Sequence, residues 1–152
     1  MNYKETKMVY SMIKKDLFDV SNDYYLAHCV NAGYALGAGI AKTFAEKFNM
    51  RFRLHNEFPQ PEDDEAYYVG KALLVGNVFN LVTKVKHYNK PTYENLRSAL
   101  EDMRRQCEEL GIMKLAMPKI GCGLDRLDWD MVEAIIFDVF NGCDIEIIVC
   151  YL

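Results

Sequence analysis

No apolar run in this 152-residue chain approaches the roughly 18 residues that a membrane span requires. Met1 to Lys7 contain no apolar core, so no secretory leader is expected there. The five cysteines (Cys29, Cys107, Cys122, Cys143 and Cys150) include no Cys-x-x-Cys pair. Their odd number, irregular spacing and apolar neighbours exclude a disulfide framework. They point to reduced, buried thiols in a cytoplasmic protein, with the nucleus as the alternative for a eukaryotic source. His28, His55 and His87 stand far apart, and none has ligand spacing with a cysteine or carboxylate, so no metal is expected. There is no basic block and the net charge is −4, which argues against a broad nucleic-acid footprint. The dinucleotide fingerprint G-x-G-x-x-G fails at both places where it begins: Lys42 follows Gly37-Ala38-Gly39-Ile40-Ala41, and Arg126 follows Gly121-Cys122-Gly123-Leu124-Asp125. The phosphate loop G-x-x-x-x-G-K is also missing, so a Rossmann dehydrogenase and a P-loop NTPase are disfavoured. No internal repeat or low-complexity segment is present.

What remains is ordinary globular composition in one expected domain, residues 1–152. Strands are expected over Met8–Ile13, Tyr24–Val30, Lys71–Val75, Asn77–Val85, Lys114–Met117 and Ile145–Tyr151. Between Ala38 and Phe48 the residues Ile40, Ala41, Phe44, Ala45 and Phe48 fall on one helical face. A second helix starts behind Thr92 as N-cap and carries Leu96, Leu100, Met103, Cys107 and Leu110 to Gly111. A third starts behind Asp128, with Trp129, Val132, Ile136 and Val139 on its apolar face. Pro59 to Glu65 reads as an exposed excursion. This alternation predicts an α/β layered fold with a mixed, largely parallel central sheet, whose strand ends carry the ligand loops.

Two glycine-rich segments stand at strand-to-helix junctions: Gly33-Tyr34-Ala35-Leu36-Gly37-Ala38-Gly39-Ile40-Ala41 and Gly121-Cys122-Gly123-Leu124-Asp125-Arg126. Bare backbone can turn its N–H groups on an anion, and a helix N-terminus adds partial positive charge. Two such loops in a small domain point to a diphosphate held from two sides.

Ala27-His28-Cys29-Val30-Asn31 with the first glycine loop, Thr83-Lys84 with Lys90-Pro91-Thr92-Tyr93-Glu94-Asn95-Leu96, and Pro118-Lys119-Ile120-Gly121-Cys122-Gly123-Leu124-Asp125-Arg126 together resemble a macrodomain. Within macrodomains they resemble the ALC-like class that includes terminal ADP-ribose protein glycohydrolases. The resemblance runs over nearly the whole chain and is weakest from about Asn49 to Val78. It implies a three-layer α/β/α domain that binds ADP-ribose and hydrolyses its ester with glutamate or aspartate side chains. Lys84 would attack the anomeric carbon of the distal ribose, and Asp125 would complete the reaction.

The ligand contacts implied are Asp16 and Leu17 near the adenine, Asn31 at the distal ribose, Gly37, Ala38, Gly39 and Ile40 in the first loop, Thr83 beside the lysine, and Ile120, Gly121, Cys122, Gly123 and Leu124 in the second. Lys15 replaces the usual glycine before Asp16. The second asparagine used nearby by water-activating macrodomains is absent, with Tyr34 in that neighbourhood, which favours the lysine route. Cys122 reads as a small spacer, and Tyr151 is a further residue that would line the site. No cofactor is implied, and a monomer is expected.

The chemistry stands apart from the resemblance. A sugar's anomeric carbon is an electrophile, and its open form is an aldehyde that an amine captures as an imine. A lysine must be neutral to attack; burial favours that form and an adjacent carboxylate opposes it. The partners expected are ADP-ribose and ADP-ribosylated protein, with no membrane. O-acetyl-ADP-ribose, another ester, would also be deacylated. Two alternatives remain open: a reader that binds ADP-ribose without turnover, and a hydrolase acting on ADP-ribosylated DNA bases.

Overall fold

The computed structural model describes residues 8–152; the leader expectation for Met1 to Lys7 falls outside that range. Six strands form one sheet: β1 (Val9–Lys14), β2 (Tyr25–Asn31), β3 (Ala72–Val75), β4 (Val78–Lys84), β5 (Lys114–Met117) and β6 (Glu146–Tyr151). Their order across the sheet is β1-β6-β5-β2-β4-β3. All neighbours are parallel except β3, which pairs antiparallel with β4. The mixed, largely parallel sheet inferred from the sequence is therefore correct. Four helices cover it: α1 (Gly39–Phe48), α2 (Met50–Glu57), α3 (Tyr93–Leu110) and α4 (Trp129–Val139).

Both faces of the central strands are buried, as an inner parallel sheet requires. The period of two divides β2 between the layers. Ala27 belongs to the core cluster that holds Leu96, Leu100 and Met103 of α3 and Val132 and Ile136 of α4. Leu26 and Val30 belong instead to the cluster that holds Phe44 of α1 and Met50 and Leu54 of α2. His28, on the α1 side, stacks on Phe44 with ring centroids 3.9 Å apart.

Local chemistry sets the boundaries. Gly76 turns the β3–β4 hairpin at φ +59°, at the first central position of a two-residue loop. Thr92 caps α3 by accepting the Asn95 N–H at 3.1 Å, and Gly111 ends it in the left-handed region. Asp128 caps α4 by accepting the Asp130 N–H at 2.9 Å. Two elements carry too little periodicity to be read from sequence. The first is the 3-10 turn Leu17–Asp19, capped by Asp16. The second is α2, which buries Met50 and Leu54 alone and starts directly from the left-handed Asn49 that ends α1.

The five parallel strands end along one rim of the sheet, at Lys14, Tyr151, Met117, Asn31 and Lys84. Every chain segment that carries a candidate functional residue leaves from this rim.

Candidate active site

Between the ends of β2, β4 and β5 lies a cleft of about 890 Å3, within the roughly 300–1,000 Å3 range of small-molecule sites. Its first wall is the loop from β2 into α1. Tyr34 and Leu36 sit there at φ 55° and 41°, in a region that costs non-glycine residues on the order of 1–2 kcal/mol. Anchors on three sides hold that strain. Asn31 accepts the Ala35 N–H at 3.0 Å and donates to the Val85 carbonyl at 3.1 Å. The buried Tyr34 donates its hydroxyl to the Phe58 carbonyl at 2.8 Å, and Arg51 donates to the Tyr34 carbonyl at 3.2 Å. Ala38 supplies no side-chain cap to α1. The first-turn N–H groups, which a helix cannot satisfy internally, belong to residues that line the cleft.

The second wall is the loop from β5 into α4. It is held by its own hydrogen bonds: Cys122 N–H to Lys119 O at 3.2 Å, Arg126 N–H to Gly123 O at 3.2 Å and Leu127 N–H to Gly121 O at 2.7 Å. Gly121 has φ +73°, and a Cβ there would lie 2.9 Å from Leu127 Cδ1, so a side chain at this position would meet backbone strain and displace Leu127. The N-terminus of α4 is already occupied by Asp128. This loop therefore offers its exposed tip, Gly123 and Leu124, in place of a helix end. Leu124 reaches across the cleft: a Cβ on Gly39 would stand 3.3 Å from Leu124 Cδ1.

On the floor, Lys84 Nζ donates to Asp125 Oδ1 at 2.6 Å. The side chains retain 12% and 19% of their exposure, so the pair is sheltered yet open to the cleft. A second Nζ hydrogen bond, 2.9 Å long, goes to the His87 backbone carbonyl. Cys29 also lines the floor. Burial first and the Asp125 carboxylate second push its thiol well above the ordinary range, which favours the protonated thiol over the thiolate. Cys122 is pushed up to about 11, mainly by burial, and donates to the Ile120 carbonyl at 3.3 Å.

Of the residues singled out in the sequence, the cleft brings together Lys84, Asp125, Asn31, Gly37, Ala38, Gly39, Ile40, Ile120, Gly121, Gly123 and Leu124. Five others do not line it, among them Tyr151, which is exposed at the end of β6. Asp16 spends one carboxylate oxygen on the Phe18 N–H at 2.9 Å, at the end of β1. Leu17 is buried in the core. Thr83 is buried with its hydroxyl unpartnered. Cys122 is turned onto its own loop. Sequence reasoning missed Cys29, Val30, Ala35, Leu36, Ala41, His87, Pro118 and Lys119, which do line the cleft. For Cys29 and Val30 the available signal was position at the end of a buried strand. For His87 it was three residues of separation from Lys84.

A mixed, mostly parallel six-stranded sheet covered by four helices, with its loops gathered on one rim, is the architecture of a macrodomain. Residues 27–136 match the Macro domain family, and the chain belongs to it. It is 42% identical over 137 residues to the bovine protein named ADP-ribose glycohydrolase OARD1, covering 90% of this chain and 88% of that one. Its backbone is similar to the macrodomain of Mycobacterium tuberculosis DarG, with a TM-score of 0.76 at 23% identity, covering 96% and 98% of the two chains. It is also similar to Thermosipho africanus DarTG in complex with ADP-ribose, with a TM-score of 0.75 at 19% identity, covering 95% of this chain and 42% of that one.

Proposed function

We propose that this protein is an ADP-ribosyl hydrolase that releases ADP-ribose from glutamate and aspartate esters through a covalent adduct on Lys84. The observation that carries this reading is the 2.6 Å Lys84–Asp125 contact on the floor of a cleft walled by two backbone-rich loops. Resemblance to a named ADP-ribose glycohydrolase over nine-tenths of the chain supports it.

The diphosphate sits between the first-turn amides of α1 and the tip of the second loop, with Gly37, Ala38, Gly39, Ile40, Ile120, Gly121, Gly123 and Leu124 around it. The distal ribose lies over Lys84 near Asn31. The adenosine follows the rim towards Asp16 and Leu17, where Tyr151 carries the Lys119 ammonium 5.6 Å from its ring centroid. Neutral Lys84 Nζ attacks the anomeric carbon. The bond from that carbon to the ester oxygen breaks, and its electron pair leaves on the glutamate or aspartate carboxylate. Asp125 accepts the proton shed by the nitrogen. Asp125 then returns a proton to the departing amine as water adds to the same carbon. It takes a proton from that water and passes it to solvent. Ester and water thus become carboxylate, ADP-ribose and one proton. O-acetyl-ADP-ribose is a smaller ester that fits the same site.

The test is release of label from an auto-modified ADP-ribosyl transferase. Lys84→Ala should lose at least about 1,000-fold in rate, and Asp125→Ala about 100-fold, in the range of nucleophile and general-base losses. Unchanged release by Lys84→Ala removes the mechanism. Calorimetric binding of ADP-ribose without any release would make the protein a reader, and turnover confined to a modified oligonucleotide would move the substrate to DNA.

A further inference from the structure

Lys84 meets two acceptors, and the second comes from a segment outside the sequence motifs. β4 leaves the sheet at Lys84 and runs into an exposed turn, Lys86-His87-Tyr88-Asn89. Asn89 closes that turn twice. Its backbone N–H donates to the Lys86 carbonyl at 3.0 Å, and its side-chain Oδ1 accepts the Lys86 N–H at 2.9 Å. Closure leaves the His87 carbonyl facing back along the chain, where it accepts from Lys84 Nζ at 2.9 Å.

The geometry points to Asn89 as a positioning residue for the reactive amine. The inference rests on the reading of Lys84 as nucleophile. A primary amine nitrogen has four tetrahedral directions. The side-chain carbon takes one, and Asp125 Oδ1 and the His87 carbonyl take two more as acceptors. When the amine is neutral, its two N–H groups satisfy those acceptors. The lone pair is then fixed in the one direction left, towards the ligand. A single acceptor would let the nitrogen spin about its carbon bond and spread the lone pair over unproductive directions. Orientation of this kind acts on the rate of attack and leaves ground-state binding alone.

The full chain carries the test. Wild type, Asn89→Ala and Asn89→Asp are mixed with an ester-linked ADP-ribosyl peptide. Formation of the Lys84 adduct is followed by intact mass under single-turnover conditions, and affinity for ADP-ribose is measured by calorimetry. Asn89→Ala should form the adduct about 10-fold more slowly, with ADP-ribose affinity within about twofold of wild type. Asn89→Asp, which keeps an oxygen to accept the Lys86 N–H, should recover to within about threefold. An Asn89→Ala rate equal to wild type overturns the inference; so does a parallel loss of affinity, or a failure of the aspartate to rescue. Absence of any Lys84 adduct in wild type overturns the lysine mechanism itself, a different result from normal adduct formation in Asn89→Ala.

Discussion

His28 shows how little a histidine's position in a motif says about its work. It is buried between β2 and α1, stacked on Phe44, with Nε2 2.6 Å from Asn80 Oδ1. Asn80 spends its own N–H groups on the Leu73 and Val78 carbonyls, so Nε2 must be the donor and Nδ1 is left bare. Burial pulls the imidazole down from 6.5 to about 4, and the Asn80 contact opposes this in part. Above pH 6.5 both folded and unfolded states are neutral and the residue adds no pH dependence. Between 6.5 and 4 the unfolded chain binds a proton that the folded one refuses, so stability falls as pH falls. The loss is complete below about pH 4 and amounts to about 3 kcal/mol at 1.36 kcal/mol per unit. His28→Gln keeps a donor for Asn80 and does not titrate. Denaturant melts at pH 7, 5.5 and 4.5 should show a flatter decline for the variant. Equal slopes would mean that His28 is not buried neutral.

The glycine loops are where positive φ and close packing set the local conformation. Gly39 opens α1 at φ +59° with Leu124 against it, and alanine there meets both backbone strain and the Leu124 side chain. Gly39→Ala should cost about 1–2 kcal/mol in a denaturant titration and weaken ADP-ribose at least about 10-fold by calorimetry. Tyr34→Phe removes only the bond to the Phe58 carbonyl and should cost about 1 kcal/mol. The strands and three of the helices were legible because their apolar periods are strong and their caps are the expected Thr92, Asp128 and Gly111. Helix α2 was not, because Met50 and Leu54 are its only buried anchors and no side chain caps its start. Lys84 and Asp125 were legible as motif residues. The positioning role proposed for Asn89 was not, since it passes through a turn and a carbonyl that belong to other residues.

At the level of the molecule, the two loops and α1 converge on one cleft, so a ligand bound there should be felt by the whole fold. ADP-ribose at 100 times its Kd should add about 2.7 kcal/mol to unfolding, seen as a raised melting temperature. Lys84→Ala should keep most of that gain while losing turnover, which separates the grip on the diphosphate from the chemistry at the sugar. The rim itself was foreseeable from strand and helix alternation. Which side chains enter the cleft was harder to foresee, because the β2–β4 pairing shifts register after Val30, passing over Thr83 of β4, and alternation does not reveal this.

The parallel sheet also dictates how the protein can be handled. With five strands delivering their outgoing ends to one edge, the incoming ends gather on the opposite edge, where Met113 and Asp144 are exposed ahead of β5 and β6. A surface tether attached there would leave the cleft facing outward. A tether at Leu152, which follows β6 on the working edge, would crowd it.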